Sequence, residues 1–258
     1  MRSGFKRYTP DGPGIIPAPE LFLPDDIIYN TVDRKAYHLD NAGHVVRFDH
    51  RINILSEDEA VTVGSGGDFE TLTILFDCLT AKIPEYSANG ITVVATLLSG
   101  YVMSEQVLVR GQQFGFVTIR SQDAVVTIDD SAMTVDFSTT DYELEAYPAF
   151  GVSMGGVLPK IDTVFQFGAT SLNIGKHGVL SIGAGSTADV LPGAGFINSP
   201  QYGFIAMRGG AINATDTTCN GAYDYDIAVK DGGIITANGA TGTLSQNNKA
   251  ITTDGIIF

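Results

Sequence analysis

Three stretches near the end of the chain share one order of apolar and polar positions: AMRGGAINA (206–214), AVKDGGIITA (228–237) and AITTDGIIF (250–258). They align on Gly210, Gly233 and Gly255, at spacings of 23 and 22 residues. A period in the twenties with glycine ahead of a β-branched pair predicts a solenoid, in which each repeat is one coil and the glycine turns the corner. KHGVLSIGAG (176–185) reads as an earlier, less regular coil. On this alignment Ile256 and Ile257 match Ile234 and Ile235 and are expected in the stacked interior. An uncovered last coil has an apolar mouth and a row of unpaired amides, which invites association. Ile256, Ile257 and Phe258 are therefore expected to form a joint, where three copies meet or a second fibre protein continues the structure.

Upstream the period changes. Phe69, Leu72, Leu75, Phe76, Leu79 and Ile83 recur every three to four residues, which predicts one helix of roughly four turns. Asp68 is placed to cap its start, and Pro84 follows its end. A helix ahead of a stack of coils is expected to plug the open mouth of the solenoid. Short β segments at Val93, Val107, Val117, Val125 and Val135 follow. Coils of about 22 residues would make 85–258 roughly eight layers at about 4.8 Å each.

The start of the chain differs again. Pro10, Pro13, Pro17, Pro19 and Pro24 predict an extended attachment arm over 1–24, ordered by lying on another surface. In 25–50, Ile28-Tyr29, Ala36–Leu39 and Val45–Phe48 are separated by Asn/Asp/Gly turns, which predicts a three-strand β-meander. Residues 51–84 then form a connector and the capping helix, and 85–258 the body.

Composition supports the all-β reading: 30 glycines among 258 residues, 44% apolar and only 17% charged residues favour short strands and tight turns. Net charge is −14. Residues 1–51 hold seven basic and seven acidic groups, so the whole excess lies beyond them. A body of that sign has no counterion-release drive toward nucleic acid or anionic lipid, whereas a hydrated glycan is compatible with it. No run approaches the roughly 18 apolar residues of a membrane helix. MRSGFKRYTPDGPG lacks an apolar signal-peptide segment, so synthesis in a cytoplasm and export by assembly is expected. Cys78 and Cys219, far apart and without metal-ligand spacing, are expected to be buried apolar residues.

ELFLPDDIIYNTVDRKAYHLDNAGHVVRF (20–48) resembles the short N-terminal module of many bacteriophage tail fibres and spikes. Glu20, Leu21, Asn30, Thr31, Asp33, Lys35, Tyr37, Asp40, Gly43 and Val45 carry the match, with FLPDD standing as an insertion. The stretch from Val63 to Ile128, with its glycines after Val63, the helix and Ser-Gly before Tyr101, resembles the first part of pectate-lyase-like right-handed β-helices in phage tailspikes. The resemblances imply a right-handed, single-stranded parallel β-helix behind a virion adaptor in which Glu20, Asn30, Asp33, Lys35, Tyr37, Asp40 and Gly43 make the attachment. They imply a homotrimeric appendage of a tail or head, on a phage or a phage-derived particle such as a gene transfer agent. It would attach to host surface polysaccharide directly or carry a further fibre. No cofactor is implied.

Spikes of this kind sometimes cut the glycan they bind. Glu143 and Glu145 alternate in TTDYELEAY, and Asp224 with Asp226 in AYDYDIAV; in a strand each pair points to one side, as a glycosidase acid pair needs. Tyr142, Tyr147, Tyr223 and Tyr225 flank them and offer rings for sugar stacking. Alternating carboxylates also occur on any acidic strand, so a binding protein without catalysis is the first expectation and a glycan hydrolase or lyase the alternative. Arg110 and Arg120 are the one close basic couple, expected on neighbouring turns. His177 is the sole histidine beyond residue 50. His38, His44 and His50, spaced by six, are expected as surface hairpin residues rather than metal ligands.

Overall fold

Nearly all regular structure in this chain is extended, as its Val, Ile, Thr and Gly content requires. A computed structural model describes residues 5–11, 15–22, 27–32, 35–39, 45–48, 54–55, 57–80, 82–84, 90–138, 145–168, 173–241, 249–252 and 255–258. Two compact units divide the chain, Met1–Ile54 and Leu55–Phe258.

In the first unit, Ile27–Asn30, Lys35–Leu39 and Val45–Phe48 form an antiparallel meander. The expected free arm instead contributes to it: Phe5–Tyr8 pairs in parallel with Ile27–Asn30. Phe22, Ile28 and Tyr37 make a small core against Tyr8 and Val45. Three strands alone bury too little apolar surface to hold together, and Tyr8 and Phe22 from the Pro-rich segment add to it.

The second unit consists of parallel sheets. One has six strands: Val107–Arg110, Tyr147–Ser153, Lys176–Ile182, Tyr202–Met207, Tyr225–Lys230 and Lys249–Thr252. A second runs Glu59–Val63, Val93–Leu97, Val117–Ile128, Lys160–Phe167, Gly195–Ile197 and Thr218–Asn220, with Val102–Met103 beside the long strand. A third holds Thr187–Asp189, Ala211–Asn213, Ile234–Thr236 and Ile256–Ile257. From Lys176 onward the chain visits the six-stranded, the four-stranded and the seven-stranded sheet in that order, again and again. Tyr202 registers with Tyr225, Ala211 with Ile234 and Gly195 with Thr218, each 23 residues on. Earlier passes are longer: Val107 registers with Phe150, 43 residues on. The expected eight even layers are therefore fewer, because 129–146 is spent on a strap outside the six-stranded sheet.

That strap explains why this sheet is apolar on both faces. Phe150, Val179, Phe204 and Ile227 face the main core, whereas Leu180, Ile205, Met207 and Ala228 face outward with Phe137 and Ala146 of the strap. Gly151 leaves room for the Phe137 ring, since a methyl there would lie 2.8 Å from it. The Arg110 guanidinium covers that ring at 4.3 Å from its centroid. Gln106 ties the strap down, accepting from Val135 N–H at 2.8 Å and donating to its carbonyl at 3.1 Å.

Strand alternation also corrects the expected interior. Ile235 is fully buried, but its neighbours Ile234 and Ile256 are exposed and Ile257 is half-buried against the core. Successive side chains on a strand point to opposite faces, so only the second of each pair enters the core. The expected strands at Val117 and Val125 are one strand, Val117–Ile128, whose register skips between Arg120 and Val125.

The helix spans Leu72–Thr80, shorter than expected, and buries Leu72, Leu75, Phe76 and Leu79. Phe76 meets Phe114 at 4.9 Å. Asp68 does not cap it: its Oδ2 accepts from Thr62 N–H and Oγ1, both at 2.8 Å, which lowers its pKa. The first turn is instead satisfied by Thr71 Oγ1, which accepts from Ile74 N–H, and by Glu105, which accepts from Leu72 N–H at 2.9 Å and from the Tyr101 hydroxyl. Cys78 lies on the solvent side and Cys219 is buried; both are free. Among the described residues no helix is long and apolar enough to cross a membrane.

Glu105→Ala removes a charge-assisted cap from the positive end of the helix. The expected cost is about 1–2 kcal/mol, or a fall of about 3–6 °C in melting temperature. A circular-dichroism melt within 1 °C of wild type would show that Thr71 suffices.

Candidate functional site

The turn that feeds each strand of the six-stranded sheet lies on the turn of the next layer, so residues far apart in sequence form one ledge. Glu145 and Tyr147 precede or begin one strand, Ile174 to Lys176 the next, Gln201 and Tyr202 the third, and Tyr223 to Tyr225 the fourth. Hydrogen bonds run across them. Tyr147 donates its hydroxyl to Glu145 Oε2 at 2.8 Å and its N–H to the Gly175 carbonyl at 2.7 Å. Gly175 N–H donates to Gln201 Oε1 at 2.7 Å, and Gln201 Nε2 to Asp224 Oδ2 at 3.2 Å. Lys176 pairs with Asp130 of the strap at 3.5 Å. Behind this edge the rings of His177, Tyr202 and Tyr225 stack in register, with centroids 5.1 and 6.1 Å apart.

The ledge offers aromatic and apolar surface to solvent: Tyr223 is 56% and Ile174 68% exposed, and Tyr147 and Tyr225 are half-buried. The Glu145 hydrogen bond raises the Tyr147 pKa. Burial pushes the Tyr202 phenol up to about 12, with Asp224 and Tyr225 adding to the effect. The tyrosines are therefore neutral at physiological pH, with faces for stacking and hydroxyls for hydrogen bonding.

The structure thus brings together Glu145, Tyr147, Asp224, Tyr223 and Tyr225. Tyr142 and Glu143 lie outside the described residues. Asp226 does not join Asp224: the strand begins at Tyr225, so Asp224 belongs to the turn and hydrogen-bonds Gln201, while Asp226 is buried on the inner side. Glu145 and Asp224 stand three strand spacings apart, about 14 Å along the stack, against roughly 5–10 Å for a glycosidase pair. Arg110 and Arg120 lie on different sheets, Arg110 over Phe137 and Arg120 3.4 Å from Asp162. Ile174, Lys176 and Gln201 were not legible as site residues. Extending the 23-residue repeat back from Gly210 and Gly233 would have aligned Gln201 and Tyr202 with Asp224 and Tyr225.

In the first unit, Asn30 is buried and structural: Nδ2 donates to the Ile15 carbonyl and Oδ1 accepts from Val32 N–H, each at 2.9 Å. Tyr37 is in the small core, Glu20 is exposed in a short helical turn, and Lys35 starts a strand. Asp33, Asp40 and Gly43 lie outside the described residues. At the other end, Phe258 is 67% exposed, its N–H donating to the Ile235 carbonyl. A separate groove of about 420 Å³ runs along the four-stranded sheet past Val157, Lys160, Asp189, Asn213, Ile234 and Thr236. Among the described residues no group of three His, Cys, Asp or Glu side chains is placed to hold a metal.

These features define an all-β protein of stacked parallel sheets with one helix and a surface ledge of tyrosines. No protein-family model matches the chain, and a search of curated proteins finds no match.

Proposed function

We propose that this chain is a β-helical appendage of a phage or phage-like particle that contacts host surface glycan, either directly or by carrying a further fibre. The observation that carries the reading is the repeated passage through three parallel sheets at 22–25 residues per layer, next to a small N-terminal unit with its own core. Stacked layers give a stiff rod that needs no large globular core, and the N-terminal unit is proposed as the virion adaptor. Placed over the stack, the helix caps the solenoid. The outermost layer, with edge strands Lys249–Thr252 and Ile256–Ile257 and exposed Phe258, is the proposed joint for a homotrimer or a second fibre.

The ledge fits holding a glycan better than cutting one. Tyrosine rings spaced one layer apart supply stacking faces along a linear polymer, and Glu145, Gln201 and Asp224 supply hydrogen bonds, while the two carboxyls are too far apart to act on one bond. The test is direct: purified protein incubated with host cells or isolated capsule binds in a pull-down, and Tyr223→Ala with Tyr147→Ala weakens binding at least tenfold without lowering the melting temperature. Release of reducing ends or unsaturated sugars would replace adhesion by depolymerisation. Absence of binding, with particles lacking the protein still adsorbing normally, would leave only a structural base.

A further inference from the structure

At the bend of the six-stranded sheet one inward position recurs in four layers as Ala149, Gly178, Gly203 and Asp226. The first three are small for a steric reason. A methyl on Gly178 would lie 2.7 Å from the Phe196 ring, and one on Gly203 only 1.9 Å from Cys219 Sγ. The fourth layer puts a carboxylate in that place. Asp226 is 3% exposed, and it is the only acidic side chain buried among the described residues. Its Oδ1 accepts from Ala222 N–H at 3.0 Å, while Oδ2 is buried with no hydrogen-bond partner. Cys219 Sγ donates to the Asp226 carbonyl at 3.1 Å.

The charged groups around it do not offset this. Cys219, on the adjoining strand, is itself buried, its thiol pushed up by burial and by Asp226. His177, Tyr202 and Tyr225 stack along the same strands, with Lys230 4.9 Å over the Tyr202 ring. Asp224 is bonded to Gln201. Lys249, the cation on the next strand, registers with Ile227, and the strand Ile234–Thr236 carries no titratable side chain.

We propose that Asp226 makes the last layers of this protein pH-responsive: as the neutral acid it fills the column, and as the carboxylate it opens the bend. An ionised carboxyl with an unbonded oxygen must be hydrated. Water reaches it only by parting Ala222 from Asp226, which loosens Tyr225–Lys230 and the strand Lys249–Thr252 registered on it. Burial raises the Asp226 pKa above its ordinary value, with the Ala222 N–H opposing. For an acid whose folded pKa is raised, the stabilisation is complete below the ordinary value near 3.8 and is lost as pH rises through the folded one.

The experiment compares wild type with Asp226→Asn in thermal melts at pH 4.5 and 8, so that every other titration is common to both proteins. The gap in melting temperature, variant minus wild type, is expected to grow by about 3 °C or more toward pH 8. Hydrogen exchange of amides 225–230 at pH 8 should be at least tenfold slower in the variant. Asp226→Gly, which repeats Gly178 and Gly203, serves if the Asn variant fails to fold, with the same widening gap expected. A gap that stays constant or narrows with pH overturns the proposal, as does an unchanged exchange rate in that strand.

Discussion

Phe196→Ala should lower the melting temperature by on the order of 10 °C, with no change in the exposed ledge. Phe196 is fully buried where the six- and seven-stranded sheets meet. It stacks on Phe165 at 5.6 Å and meets Phe150, Phe204 and Phe167 at 5.9, 5.8 and 6.4 Å. Its ring also fills the space above Gly178. Removing it deletes a shared partner of four rings and leaves a cavity that a stack of hydrogen-bonded layers cannot close. Substitutions of this kind cost about 3–5 kcal/mol, and in a unit of this size each kcal/mol moves the midpoint by roughly 2–4 °C. Phe196→Leu, which keeps most of the volume, should cost about 1–2 kcal/mol. If the Ala variant melts within 3 °C of wild type, the aromatic cluster is not what joins the two sheets.

Acid should destabilise the protein through His177, and replacing it should flatten the acid limb. The imidazole is buried between layers, stacked on Tyr202, with Nδ1 unpartnered. Burial, with Lys230 nearby, depresses its pKa to about 3 from 6.5. For a base whose folded pKa is depressed, the unfolded chain binds the extra proton first. Stability is therefore complete above pH 6.5 and is lost by about 1.4 kcal/mol per pH unit as pH falls toward the folded value. In urea titrations between pH 6.5 and 4, His177→Phe should lose about one proton's worth of slope relative to wild type. Equal slopes would mean that the folded protein protonates this ring without cost. Because His177 and Asp226 titrate against folding in opposite directions, stability should peak between mildly acidic and neutral pH.

Local pattern carried much of the architecture. The glycines at 210, 233 and 255 mark equivalent corners, and the pairings Ala211–Ile234–Ile256 and Ile212–Ile235–Ile257 follow their spacing. Leu72, Leu75, Phe76 and Leu79 bury one face of the helix, as their period requires. The ledge was half legible. Tyr147, Tyr223 and Tyr225 with Glu145 and Asp224 stood out as aromatic and acidic neighbours, but nothing local says that two segments some 78 residues apart share an edge.

The sequence by itself determined which segments extend, where the repeating corners fall and that one helix precedes them, since turn chemistry and side-chain period act over a few residues. Only the tertiary structure decided which member of each apolar pair faces in, that Asp226 enters the column begun by Ala149, Gly178 and Gly203, and that Phe5–Tyr8 completes the first sheet. Those outcomes depend on where a strand starts and bends against the layer beneath it. That contact joins residues 22 to 43 positions apart, and no short window of sequence contains both partners.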